Sequence, residues 1–191
     1  MSPPLPTRPF FSSGPTAKPP GWRLAELSDA ITGRNIRSPE VLARFREARD
    51  LTRRVLRIPE DYALVFTPAS DTGAVEAALW NLLGARPVQV LAYENFGKTW
   101  AADVRDHLKL DPEVLEVDYG KLPDLSRVRP DRDLVFAWNG TTSGVRVPDA
   151  GFISADREGL TICDATSAAF AMPLEWDRLD ATTFSFQTAL G

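Results

Sequence analysis

The chain has 191 residues, 43% of them hydrophobic and 25% charged, an ordinary balance for one large globular domain or slightly less. A formal net charge of -4 with no long basic block argues against a nucleic-acid partner. No apolar run is long enough to span a membrane, no N-terminal stretch reads as a signal peptide, and the single cysteine, Cys163, excludes a disulfide within the chain, so a cytoplasmic protein is expected.

Residues 1–21 are expected to form an extended arm, because the prolines at 3, 4, 6, 9, 15, 19 and 20 forbid a helix. Trp22–Ile31 spaces Leu24, Leu27 and Ile31 along one helical face, with Gly33 as its stop. A second helix is predicted over Pro39–Leu56, capped by Ser38, with Val41, Leu42, Phe45, Ala48, Val55 and Leu56 as its buried stripe. Short apolar runs then follow at Tyr62–Phe66, Val88–Ala92, Val114–Val117, Leu134–Trp138, Leu160–Cys163 and Thr182–Phe186. Helical stretches, notably Thr72–Leu83 and Lys98–Leu108, lie between several of them. Strand and helix in alternation imply an α/β domain with a mainly parallel sheet. No helix is expected after the last run.

In such a sheet, ligands sit beyond the carboxyl ends of the strands. Thr67-Pro68-Ala69-Ser70-Asp71-Thr72-Gly73 leads into a helix, and the free amides and dipole there suit a phosphate; alternatively, Ser70 or Asp71 only caps the helix. Asp71 would repel a phosphate unless its carboxylate pointed away. After Val88–Ala92 comes Tyr93-Glu94-Asn95-Phe96-Gly97-Lys98, where an aromatic ring either stacks on a planar ligand or belongs to the core. Asn139-Gly140-Thr141-Thr142-Ser143-Gly144 is either a surface turn or a hydroxyl-rich ligand loop. Asp164-Ala165-Thr166-Ser167-Ala168 closes a buried strand with a carboxylate. That charge needs a partner: a protonated pyridine nitrogen, the start of a helix or a magnesium ion.

Four segments, in order, carry a resemblance: Phe11-Ser12-Ser13-Gly14-Pro15, Pro68-Ala69-Ser70-Asp71-Thr72-Gly73-Ala74-Val75-Glu76, Trp138-Asn139-Gly140-Thr141-Thr142-Ser143-Gly144-Val145-Arg146 and Ile162-Cys163-Asp164-Ala165-Thr166-Ser167-Ala168. From about Phe10 onward the chain resembles the N-terminal half of the phosphoserine aminotransferases. The resemblance implies the large domain of fold type I pyridoxal-phosphate (PLP) enzymes, spanning 22–191 and stopping short of the small domain, and a homodimer acting on glutamate and phosphoserine. It further implies that Asp71, Thr72 and Gln187 hold the PLP phosphate and that Phe96 stacks on the ring. Thr141 would meet the ring hydroxyl side and Asp164 the ring nitrogen. Ser13 and Arg37 would bind the acidic groups of the substrate, a task for which arginine's fork of donors is suited.

Two positions depart from the family. Thr188 stands where the family has its Schiff-base lysine, and Ile36 where it has a histidine before Arg37. Threonine forms no imine and shuttles no proton. Lys18, Lys98, Lys109 and Lys121 lie in unrelated segments, and His107, the only histidine, is expected on a solvated helix surface. An inactive fragment of the enzyme is therefore expected, with a non-catalytic PLP-fold scaffold as the alternative. A cysteine desulfurase fits less well, because Phe96 takes the stacking position and Cys163 lies inside a strand.

Overall fold

The computed structural model describes residues 17–33 and 35–190. Ser13 and most of the expected arm lie outside the described residues.

Five strands form one sheet: β1 (Val88–Ala92), β2 (Glu113–Glu116), β3 (Asp133–Ala137), β4 (Thr161–Asp164) and β5 (Ala181–Thr183). Their order is β2-β1-β3-β4-β5 and every pairing is parallel. The α-helices among the described residues are α1 (Pro39–Leu56), α2 (Asp71–Leu82), α3 (Asn95–Ala102) and the single turn α4 (Gln187–Leu190). This is the parallel α/β architecture that the alternating pattern implies.

β1 and β3 are buried along their whole length, which is why they read as mainly apolar runs, with Gln89 and Asp133 as their buried polar residues. Successive side chains go to opposite faces. Val88, Val90, Val135 and Ile162 pack under Val75 and Leu79 of α2 and Trp100 of α3. Leu91, Leu134, Phe136 and Cys163 join Trp138, Ile153 and Leu179 on the other face. From β1 the chain goes out to β2 on one side and then passes back over β1 to β3 on the other, so the carboxyl ends of β1 and β3 flank a topological switch point.

Helix α1 has the expected bounds: Ser38 Oγ accepts from the Val41 amide at 3.4 Å, and Arg57, at φ 54°, ends it in a left-handed turn. Its predicted stripe is not buried, however. Leu42, Phe45 and Val55 are 42%, 46% and 61% exposed, and Thr52 is the helix's buried residue. Other elements already occupy both faces of the sheet, and α1 is tied to the body at its end, where Trp176 Nε1 donates to the Leu56 carbonyl at 2.9 Å.

Other expectations need correction. Tyr62–Phe66 is no strand: a cavity of about 480 Å³ separates it from the free edge of β5, leaving it no ladder to join. Thr182–Phe186 pairs only as far as Thr183, because Phe184 and Phe186 turn away to pack on Phe170, at ring distances of 5.9 and 5.7 Å. Trp22–Ile31 forms one 3-10 turn, Leu24–Leu27, with no buried residue; without a surface to pack on, so short a segment does not recover the cost of helix nucleation. The stretch expected over Lys98–Leu108 starts earlier, at Asn95, because Glu94 caps it, and its last turn (Asp103–His107) is a π-helix. His107 is exposed, as expected. A helical turn, α4, does follow the last strand.

Candidate functional site

The carboxyl ends of the strands bring distant loops together. Asp164, the last residue of β4, is half-buried. Its Oδ1 accepts from the Thr166 amide at 3.1 Å, and its Oδ2 accepts from Trp100 Nε1, on α3, at 3.2 Å. The strand-end acid therefore neither faces bulk water nor caps a helix; neutral N–H groups hold it. A carboxylate has about four acceptor positions, so two such bonds leave it able to take another donor.

Asp71 comes to the same place from α2. Its Oδ2 accepts from Thr183 Oγ1 at 3.3 Å, and Thr183 is the cross-strand partner of Asp164. The side chain is thus turned toward β4 and β5, the orientation in which it spares a phosphate at the helix start. Burial, followed by the negative charge of Asp164, pushes the Asp71 carboxyl up to about 7. Ser70 makes no side-chain capping bond, so the first amides of α2 keep their donors, and the Thr72 side chain beside them is exposed. Ala69 precedes them at φ 76°, an uncommon conformation for a residue with a Cβ.

The Asn139–Gly144 loop is packed in place. Thr141 Oγ1 lies 2.8 Å from Ser167 Oγ, and Ser167 donates to Asn139 Oδ1 at 3.2 Å. The loop after β3 is thereby stitched to the loop after β4 beside Asp164. A Cβ on Gly140 would fall 2.8 Å from Glu94 Cγ and 2.3 Å from Ser143 Oγ, so this close approach requires glycine.

Phe96 is half-buried and stacks on Trp100, with ring centroids 6.3 Å apart. Tyr93, the other aromatic candidate, belongs to the core and donates its hydroxyl to the Ala137 carbonyl. Gln187 is exposed and Thr188 half-buried, both on α4. Arg37 is exposed in the turn before α1, and among the described residues it has no hydrogen bond to this cluster. The structure also brings together two segments that look unrelated in sequence, since Lys18 Nζ donates to the Leu190 carbonyl of α4 at 3.2 Å.

Glu94 was not among the candidates. It is fully buried, its Oε1 accepts from the Gly97 amide at 2.6 Å, and burial raises its carboxyl above the usual range. A carboxylate directly after the apolar run of β1 is the same sequence cue that singles out Asp164. The cavity between residues 62–66 and β5 touches Asp71 and Thr183, but Thr141, Asn139 and Ser167 do not line it; it flanks the cluster. Among the described residues, no group of three or more His, Cys, Asp or Glu side chains is arranged to hold a metal, and no helix is long and apolar enough to cross a membrane.

These residues fit PLP. Among the described residues, Asp71 Oδ1 and Glu94 Oε2 are buried without a donor, and Asp164, held by two neutral N–H groups, keeps acceptor capacity for a ring nitrogen. The uncapped start of α2 suits a phosphate.

No family model matches the chain. It is 52% identical, over 188 residues, to the phosphoserine aminotransferase of Methanosarcina mazei, covering 98% of this chain and 51% of that protein. Among solved structures it resembles the phosphoserine aminotransferase of Bacillus circulans subsp. alkalophilus (TM-score 0.78, 18% identity, 95% of this chain and 54% of that one). It also resembles a PLP-bound phosphoserine aminotransferase from Trichomonas vaginalis (TM-score 0.72, 18% identity, 95% and 54%). The fold is therefore that of the PLP-dependent aminotransferases, and the chain spans about half the length of the relatives it matches.

Proposed function

We propose that this chain, which belongs to the phosphoserine aminotransferase family, carries the PLP-binding part of an enzyme that moves an amino group between glutamate and 3-phosphooxypyruvate on the route to serine. The observation that carries this reading is Asp164, a carboxylate closing a buried strand with acceptor capacity to spare. When bound, PLP supplies a carbonyl for the amino group and an electron sink.

The residues of this chain would divide the remaining work. Asp164 holds the proton on the ring nitrogen, and Trp100 and the Thr166 amide fix its orientation. The first amides of α2, Thr72 and Gln187 take the phosphate. Phe96 covers one ring face, and Thr141, anchored by Ser167, meets the ring hydroxyl side. Ser13 and Arg37 bind the acidic groups of the amino- or keto-acid substrate. Residues 1–21 act as an arm and 22–191 as part of the large domain, in a cytoplasmic protein. The exposed apolar side chains of α1, together with Trp80 at 61% exposure, are suited to a subunit interface, in keeping with a homodimer.

Thr188 limits this chain to binding. Its hydroxyl is far too weak a base at neutral pH to take a proton from a substrate carbon, so turnover is not expected. The same substitution supports a second reading: a PLP-fold scaffold without catalysis.

With one equivalent of PLP, the purified chain should shift the cofactor's absorbance and lose it on dialysis. Borohydride should leave the peptides containing residues 18 and 188 unmodified. T188K should become stoichiometrically modified at 188 under borohydride, yet still fail to release 2-oxoglutarate from glutamate and 3-phosphooxypyruvate. A PLP spectrum unchanged by either protein would overturn the cofactor reading. Robust transamination by T188K as a monomer would overturn the assignment of this chain as an incomplete catalyst.

A further inference from the structure

The side chain of Asp71 is turned away from the phosphate position, which leaves it without a task in the scheme above. It lies against Thr183, the residue paired with Asp164 across β4 and β5, and so within reach of the negative charge of Asp164. Asp71 Oδ1 is buried without a donor. As two carboxylates, the pair has only acceptors to offer each other; one proton turns the contact into a hydrogen bond.

We propose that Asp71 is a positioning residue for Asp164: the two carboxyls share one proton, and the resulting hydrogen bond fixes the Asp164 carboxylate that receives the cofactor's ring nitrogen. The positioning role rests on the PLP reading above, whereas the shared proton does not.

The surroundings favour protonation. Burial and the negative charge of Asp164 at the end of β4 favour a proton on Asp71, while hydrogen bonds from Thr166 in the following loop and Thr183 on β5 oppose it less strongly. Cys163, on β4, feels both aspartates, and Glu94 and Tyr93, at the end of β1, feel Asp164; all three are held toward their neutral forms, chiefly by burial. Adding a second negative charge to this group is unfavourable, and a proton near pH 7 on Asp71 relieves it.

The sign of the pH effect follows. The folded chain holds the Asp71 proton up to about pH 7, whereas the unfolded chain releases it near the ordinary aspartate value of 3.8. Folding therefore gains from this group below about pH 4, loses that gain as pH rises toward 7, and is insensitive to it above. In D71N the amide donates to Asp164 without titrating, so the loss should disappear.

The test uses the cofactor-free chain labelled with ¹³C at the aspartate carboxyls. One carboxyl should titrate near pH 7 in the wild type, and none above pH 5.5 in D71N. The melting temperature of D71N should match the wild type at pH 5 and exceed it at pH 8. PLP affinity should be kept within about threefold in D71N and fall about tenfold in D71A, which has no donor. Absence of any wild-type aspartate titrating above pH 5.5 would overturn the shared proton. Equal PLP affinity in D71A and wild type, or no PLP binding by the wild type, would overturn the positioning role; in the latter case a persisting titration near 7 would show that the cofactor reading, and not the acid pair, had failed.

Discussion

Replacing Asp164 by asparagine is expected to weaken PLP binding ten- to a hundredfold while leaving the chain folded. A hydrogen bond to a charged group is worth about 1.5–3 kcal/mol, and each 1.4 kcal/mol is about tenfold in affinity. Asparagine keeps the size of the side chain and can still accept from Trp100 Nε1 or the Thr166 amide, so the scaffold should survive. What it lacks is the negative charge that keeps a pyridine nitrogen protonated. Equilibrium titration followed by cofactor fluorescence would measure the change, with urea unfolding as the control for stability. Removing the Asp164 charge also removes one of the two main reasons that Asp71 holds its proton, so the Asp71 midpoint should fall in D164N, though burial keeps it above that of an exposed aspartate.

A large effect on stability is expected from G97A. A Cβ at this position would sit 2.6 Å from the Leu91 carbonyl and 3.2 Å from Ala92 Cα, both of them backbone atoms of β1. Neither can swing aside as a flexible side chain would, so α3 must lift off the sheet. Overpacking of this kind costs about 1–3 kcal/mol. The displaced helix also carries Trp100, whose indole bonds to Asp164 and whose ring is fully buried. Urea denaturation should therefore show a lower midpoint with an unchanged slope, and PLP affinity should fall along with it. A variant as stable as wild type would mean that α3 does not press on β1 as closely as the structure has it.

The strands buried on both faces, β1, β3 and β4, are legible as mainly apolar runs, although Gln89, Asp133 and Thr161 are buried within them; β2 is legible too while only partly buried. The run at Tyr62–Phe66 looks equally strand-like, but a strand exists only with a partner, and partnership across the cavity at β5 is a tertiary fact. The bounds of α1 are written locally in Ser38, Pro39 and Pro59, whereas periodicity marks an apolar face without saying what covers it. Among the site residues, Asp164 is visible because a carboxylate at the end of a buried strand demands an explanation. Glu94 makes the same demand and is overlooked when the aromatic residues around it are read first. The contact between Asp71 and Asp164 has no local signature at all: it depends on α2 lying over the end of β5, which no spacing in the sequence encodes.

PLP binding by this chain turns on a cationic ring lying against the carboxylate that ends β4. PLP labelled with ¹⁵N at the ring, bound to the wild-type chain, tests this directly by NMR. The midpoint at which the bound nitrogen loses its pyridinium proton should lie above that of free PLP in the wild type and fall to or below it in D164N. A bound cofactor whose nitrogen gives up that proton no higher in pH than free PLP does would contradict a ring held as a cation by Asp164.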